Sequence, residues 1–194
     1  MFVFLSDTHL TYRFAGFGAH SYLSGKAVRV FLENLKALLK RRNADHQRIK
    51  EIKIVLLGDI FDFIRTIHWW VDVGKEREVT PWNPKDFSKL ESQVKYILNN
   101  ILEDDTLGSF VEELQKAKEI LSEDYSVETL YFVGNHDRML AVFPSLQKIV
   151  KDILSVDKFI FERYFFEDYL TLACHGHEFD MMNREDKDRV NLQL

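Results

Sequence analysis

Phe2-Val3-Phe4-Leu5-Ser6-Asp7-Thr8-His9 carries the first signal of the fold. Four apolar, β-prone residues in a row read as a short buried strand. That strand hands over directly to a carboxylate and an imidazole. Three later runs end the same way. Ile54-Val55-Leu56-Leu57 leads into Gly58-Asp59-Ile60-Phe61-Asp62, and Leu130-Tyr131-Phe132-Val133 into Gly134-Asn135-His136-Asp137. Leu170-Thr171-Leu172-Ala173-Cys174 leads into His175-Gly176-His177. Each cluster alone reads as an ordinary turn after a strand. Ligand-type side chains at four successive strand ends are not explained by core packing.

Amphipathic helical runs alternate with these strands, which predicts a single α/β (layered α+β) domain over residues 1–194. Val28, Phe31, Leu32, Leu35 and Leu39 recur at helical spacing between Val28 and Arg42. Asn83-Pro84 reads as a helix start, followed by a buried stripe of Phe87, Leu90, Val94, Ile97 and Ile101. Ser109 with Glu112 resembles a capping box that opens a helix burying Phe110, Leu114, Ala117 and Leu121. The interval 63–125 is therefore a mostly helical insertion, either a cap beside the site or helices that cover the sheet. Lys158 to Cys174 reads as a hairpin, with Phe159-Ile160-Phe161 running in, Glu167-Asp168 turning and Tyr169 to Cys174 running out.

With 194 residues, 46% hydrophobic and 13% aromatic, the chain is globular and long enough for a real core. Its 31 acidic and 26 basic side chains leave a net charge of −5, so nucleic acid is not an expected partner. Cys174 is the single cysteine, which excludes an intrachain disulfide and a thiolate zinc site. No run is long enough to span a membrane, and a cytoplasmic location is the expectation.

The run Asp7-x-His9, Gly58-Asp59-x-x-Asp62, Gly134-Asn135-His136-Asp137, His175-Gly176 resembles the calcineurin-like metallophosphoesterase superfamily. Order and approximate spacing match over nearly the whole chain. The resemblance implies a β-sandwich flanked by helices, with two divalent metal ions at the C-terminal ends of its strands. It implies hydrolysis of a phosphate mono- or diester or a pyrophosphate, through a hydroxide bridging the two metals. Asp7 and His9 would bind the first ion, Asp59 would bridge both, and Asn135 and His175 would bind the second. His136 would protonate the leaving group, and Asp137 would hydrogen-bond His136. Asp62 would lie outside the metal ligands as a supporting residue.

The residue types suit this chemistry in their own right. Two ions about 3.5–4 Å apart clamp a phosphate and acidify a water between them. Oxygen and nitrogen donors without thiolate suit Mn²⁺ first, with Fe or Zn²⁺ as alternatives, rather than Ca²⁺. Arg65 and Arg138 follow two of the ligand loops and would either reach the phosphate oxygens of the substrate or form surface salt bridges. Trp69, Trp70 and Trp82 would line an apolar pocket or pack between layers.

The sequence also departs from the family pattern. No Gly-His-x-His motif follows His175, and the chain stops short of the C-terminal strands expected for the family, for which truncation is the expected reason. His175-Gly176-His177-Glu178-Phe179-Asp180 resembles the His-Gly-Asp-x-x-Asp segment of the UDP-2,3-diacylglucosamine hydrolase branch, with His177 in place of the aspartate. His177 is then an extra ligand or a supporting or solvent-facing histidine. The competing function is a non-catalytic interaction scaffold with an incomplete metal site. Retention of His136 speaks against it, because a scaffold needs no general acid. His20, His46 and His68 fall outside the motifs and read as surface or packing residues.

Overall fold

The structure is a computed structural model that describes residues 1–12, 24–44, 49–72 and 75–177. His20, His46 and residues 178–194 lie outside the described residues. In chain order the first elements are β1 (Phe2–Leu5), α1 (Gly25–Ala44), β2 (Glu51–Leu57), a short 3-10 turn (Ile67–Trp69), β3 (Trp70–Asp72) and β4 (Lys75–Glu76). Then come α2 (Phe87–Glu103), α3 (Asp105–Ser122), β5 (Ser126–Phe132), α4 (Met139–Val142) and α5 (Pro144–Leu154). The last are β6 (Lys158–Ile160), β7 (Tyr164–Phe166) and β8 (Thr171–Ala173).

Four strands form a parallel sheet in the order β1-β2-β5-β6. Parallel strands are buried on both faces, which is why the sequence shows continuous apolar runs instead of alternation. Ile52, Ile54, Leu56 and Tyr131 face the helices and join one large core with Leu32, Leu39, Val94 and Leu114. The alternate residues Val55, Leu130, Phe132 and Ile160 face the other way and are covered by Phe166 and Ala173 of the β7–β8 hairpin. The molecule is thus an α/β domain of three layers: helices, parallel sheet and hairpin. Of the sandwich that the family resemblance implies, the second sheet among the described residues is this two-stranded hairpin.

The insertion resolves into two parts. Residues 63–86 hold the 3-10 turn and the small β3–β4 pair, while α2 and α3 belong to the helix layer. There α3 packs on α1, α5 and β5, and α2 packs on α3.

Several local expectations need correction. The helix expected at Asn83-Pro84 begins at Phe87, because Asp86 caps it by accepting the Lys89 N–H at 2.9 Å. The helix expected from Ser109 begins at Asp105, capped by Asp104, which takes the N–H groups of Thr106 and Leu107 at 2.9 Å each. Ser109 lies inside that helix and its hydroxyl accepts the Gly25 N–H at 3.1 Å. Phe31 and Phe87 are exposed, not buried. In the hairpin the incoming strand is Tyr164–Phe166, whereas Phe159 and Ile160 belong to β6 and pair in parallel with β5. Its turn passes through Leu170 at φ 48°, a left-handed position filled without glycine. No helix among the described residues is long and apolar enough to cross a membrane.

Candidate metal centre

Because β1, β2 and β5 run parallel, the loops that leave them emerge side by side at one edge of the sheet. The loops extend the parallel pairing: His9 N–H donates to Asp59 O at 2.9 Å, Leu10 N–H to Ile60 O at 2.9 Å, and Asp62 N–H to Leu10 O at 2.8 Å. The tail of β8 reaches the same edge, with His175 Nδ1 2.8 Å from the Leu57 carbonyl. Asp7, His9, Asp59, Asn135, His136 and His175, together with Arg65, Gly176 and His177, line one cavity of about 460 Å³.

The backbone at this edge is strained. Asp7, His9 and Asp59 have φ of 54°, 45° and 51°. A left-handed conformation costs a non-glycine residue about 1–3 kcal/mol and persists where the surroundings enforce it. The glycines of the motifs have steric reasons. A Cβ on Gly134 would lie 2.3 Å from Asp59 Oδ1 and 2.7 Å from Asp59 N. Gly58, at φ 84°, would place a Cβ 2.4 Å from His175 Nδ1. Both positions must be small so that Asp59 and His175 can converge.

Asp59 is nearly fully buried and its two oxygens differ in use. Oδ1 accepts the His136 N–H at 2.8 Å. Oδ2 faces the centre, 3.1 Å from His175 Nε2 and 3.9 Å from His9 Nε2. Burial works to raise the pKa of Asp59, but the hydrogen bonds from His175 and His136 outweigh it and hold the group below the usual carboxylate value. Asp59 therefore turns one oxygen toward the cavity while the other holds the β5 loop.

The donors fall into two sets that share Oδ2. On one side His9 Nε2 is 3.7 Å from Asp7 Oδ1, and Asp7, His9 and Asp59 offer ligand atoms within 4.8 Å of one another. On the other, His175 Nε2 is 3.2 Å from Asn135 Oδ1 and 3.1 Å from Asp59 Oδ2. Since Nδ1 must carry hydrogen to bond the Leu57 carbonyl, Nε2 meets two oxygen acceptors. Without a cation this contact needs a second proton. His175 is accordingly pushed up to about 9: burial opposes the charge, but the Asp59 carboxylate and the Leu57 carbonyl outweigh it. A divalent ion would satisfy the same three lone pairs, and both donor sets fit an oxygen- and nitrogen-preferring metal.

Beneath the cavity, Asp62 is fully buried and faces two imidazoles. Its Oδ2 lies 3.3 Å from His9 Nδ1 and its Oδ1 lies 3.1 Å from His136 Nδ1. Oδ1 also accepts the N–H groups of Ile64 and Arg65 at 3.0 and 2.9 Å, and Oδ2 accepts Arg65 Nε at 2.6 Å. Burial alone would raise its pKa; the two imidazoles and these N–H groups instead hold it well below the usual range. His9, Asp62 and His136 are close enough to hold an ion, but the Asp62 oxygens already accept from the Ile64 and Arg65 N–H groups and Arg65 Nε, and they meet the two imidazole Nδ1 atoms at ion-pair distance.

The partner expected for His136 was Asp137, and this is corrected. Asp137 is fully buried and accepts from Gly134 N–H at 2.6 Å, Ile60 N–H at 3.1 Å and the Tyr131 hydroxyl at 2.7 Å. It ties the β5 loop to the β2 loop. Burial, with the nearby Asp59 charge, pushes its pKa up to about 7 against those hydrogen bonds. Tyr131 was missed in the sequence. Its place on the helix-facing side of β5 was the available signal, because a buried hydroxyl there needs a partner.

Of the two arginines, Arg65 lines the cavity and Arg138 does not; Arg138 sits at the start of α4. None of the three tryptophans lines the cavity. Trp69 is fully buried and its indole N–H donates to Phe63 O at 2.7 Å. His68 is a packing residue, stacked on Tyr96 with ring centres 5.0 Å apart. No family model, no curated protein and no solved structure matches this chain.

Proposed function

We propose that this chain is a metal-dependent phosphoesterase of the calcineurin-like type. One observation supports the reading above the others: Asp59 Oδ2 stands between the imidazoles of His9 and His175, on left-handed backbone at φ 51°. Asp7, His9 and Asp59 would hold one divalent ion, and Asp59, Asn135 and His175 the other. When bound, the ions neutralise charge on the phosphate oxygens and lower the pKa of water.

The chain's own groups supply the rest. Arg65, anchored through Nε to Asp62, lines the cavity and would face the phosphate. His136 presents Nε2 to the cavity and donates a proton to the departing oxygen. Asp62, ionised and fully buried, stands 3.1 Å from His136 Nδ1 and would orient the ring. The polar lining suits the phosphate group of a monoester, a diester or a pyrophosphate. A proton donor held by a buried carboxylate favours an enzyme over a scaffold.

The test is hydrolysis of nitrophenyl phosphate and bis-nitrophenyl phosphate with added Mn²⁺ or Zn²⁺. Metal-dependent turnover that a chelator abolishes is expected. Absence of turnover on both esters, and on pyrophosphate, in metal-loaded protein would contradict the proposal.

A further inference from the structure

We infer that the outer face of the β7–β8 hairpin is an interface at which the chain pairs with a second copy of itself. The inference is independent of the proposed activity. An antiparallel hairpin that packs one face on the core and turns the other to water alternates apolar and polar residues. This hairpin departs from that pattern. Phe166 and Ala173 join the core beneath it, so by the two-residue period of a strand Phe165 and Leu172 point away from that core. These two stand directly opposite one another across the hairpin and are 49% and 55% exposed. A face meant for water would carry polar side chains there. None of the six residues of Tyr164–Phe166 and Thr171–Ala173 is charged and none is a proline. The usual devices that keep a strand from meeting another chain are therefore missing from both strands. A two-stranded hairpin is marginal by itself, and one packed on both faces is not.

The apolar patch continues past this pair. Leu170, in the turn, is 83% exposed, and Tyr169 beside it is 46% exposed. Phe2 links Tyr169 to Phe4 of β1, with ring centres 5.0 and 5.7 Å apart, and Phe4 is itself 47% exposed. Phe4, Phe165 and Tyr169 together leave about 300 Å² open, because an aromatic side chain carries about 150–250 Å². Leu170 and Leu172 raise this to roughly 400 Å². Homodimer interfaces are about 65% apolar, so such a patch corresponds to about 600 Å² on each copy and about 1,200 Å² in a pair. A specific interface needs about 1,000 Å². The area therefore suffices for a pair. A second copy is the occupant because a twofold axis sets the patch against its own equal. The uncharged strands then bring no like charges together, whereas the net charge of −5 opposes contacts made through charged faces. Since β8 leads into His175, pairing also steadies the strand that delivers this residue to the cavity.

Sedimentation velocity of the full chain, from about 1 to about 200 µM, tests the pairing, because an interface near the lower size limit holds at micromolar concentration. A reversible particle of twice 23.0 kDa is expected. Leu172→Lys and Phe165→Ser, each checked for fold by circular dichroism, should raise the dissociation constant by about 30-fold or more, the effect of losing a central anchor. Phe31→Ser, at a similarly exposed phenylalanine on α1, should leave the pair unchanged. A wild-type chain that stays monomeric at the highest concentration overturns the pairing and leaves the face to a partner of another kind. Aggregation without a defined dimer overturns it too, as does a dimer that Phe31→Ser weakens as much as Leu172→Lys. If both hairpin variants unfold, hydrogen exchange in the wild type decides. Protection of residues 164–173 that rises with concentration supports the interface, and protection that stays constant overturns it.

Discussion

The two ends of the parallel sheet treat charge in opposite ways. At the N-terminal end, Lys53 lies between Glu51 at 2.8 Å and Glu128 at 2.5 Å, and the amino terminus donates to Glu51 O at 2.7 Å. Burial would lower the Lys53 pKa, yet the two glutamates hold it above the usual value. At the C-terminal end Asp7, Asp59 and Asp62 gather with His9, His136 and His175, and three of these residues sit on left-handed backbone. One end is neutralised by its own side chains. The other brings three carboxylates and three imidazoles together at one edge, with Asp59 Oδ2 and the Asp62 oxygens facing imidazole nitrogens. Groups arranged for stability neutralise one another; groups arranged for function leave the charge to a ligand.

The largest expected effect at the C-terminal end comes from His136→Ala. Under the proposed function it would remove a proton donor and no metal ligand, so turnover should fall by about 10²–10⁴-fold while metal content stays unchanged. The loss should shrink for a leaving group as acidic as nitrophenolate. Rates across phenyl esters of graded acidity check this, and a uniform loss would remove the general-acid role. Asp62→Asn should slow turnover by a smaller factor, about 10–100-fold, because the ring remains but its support is weakened.

Gly134→Ala comes next. Its Cβ would press on Asp59 from 2.3 Å, and overpacking of this kind costs about 1–3 kcal/mol. Denaturant titration should show that destabilisation together with weakened metal binding. Unchanged stability and binding would mean that the close approach of Asp59 is not enforced.

Lys53→Met should do far less. The flanking glutamates are substantially exposed, so the change should stay within about 1 kcal/mol and leave metal binding untouched. A larger loss would mean that the N-terminal end is not self-sufficient.

Smallest is a pH effect at Asp157, which accepts from Lys118 Nζ and from Thr129 N–H, each at 2.7 Å. Burial raises its pKa, but these two partners prevail and the folded value lies below the ordinary one. The group therefore adds stability above its unfolded pKa of about 3.9, and that contribution is lost as pH falls through the lower folded value. Asp157→Asn should flatten the acid limb of the stability curve below about pH 4 without changing the neutral plateau beyond the lost pair. An unaltered acid limb would remove Asp157 from the account.

What was legible in the sequence follows from how local each signal is. A strand buried on both faces is a continuous apolar run, so β1, β2 and β5 and the ligand loops behind them were readable directly. The helix stripes were readable at Leu32, Leu35, Leu39, Val94 and Ile97 and misleading at Phe31 and Phe87, which stay exposed because the packed stripe is narrower than the apolar pattern. Helix starts were missed because Asp86 and Asp104, not Asn83 or Ser109, hold the free N–H groups. The exchange of Asp137 for Asp62 was not readable at all. Both acids lie close in sequence to a ligand, and the choice depends on how the β2 and β5 loops cross. There Phe63 N–H meets His136 O at 3.2 Å and brings Asp62 beneath the ring. Contacts between loops leave no periodicity in sequence.

The central claim of the proposed function is that Asp59 would serve both cation positions, and metal stoichiometry in Asp59→Asn tests it most directly. The asparagine can keep its Oδ1 on the His136 N–H while presenting an amide N–H₂ where Oδ2 stood. The fold should survive while a donor replaces the shared acceptor. Calorimetric titration with Mn²⁺ and Zn²⁺ should then show the wild-type chain binding two ions and the variant losing both together. Normal loading of Asp59→Asn, or loss of one ion with the other held at wild-type affinity, would contradict the account.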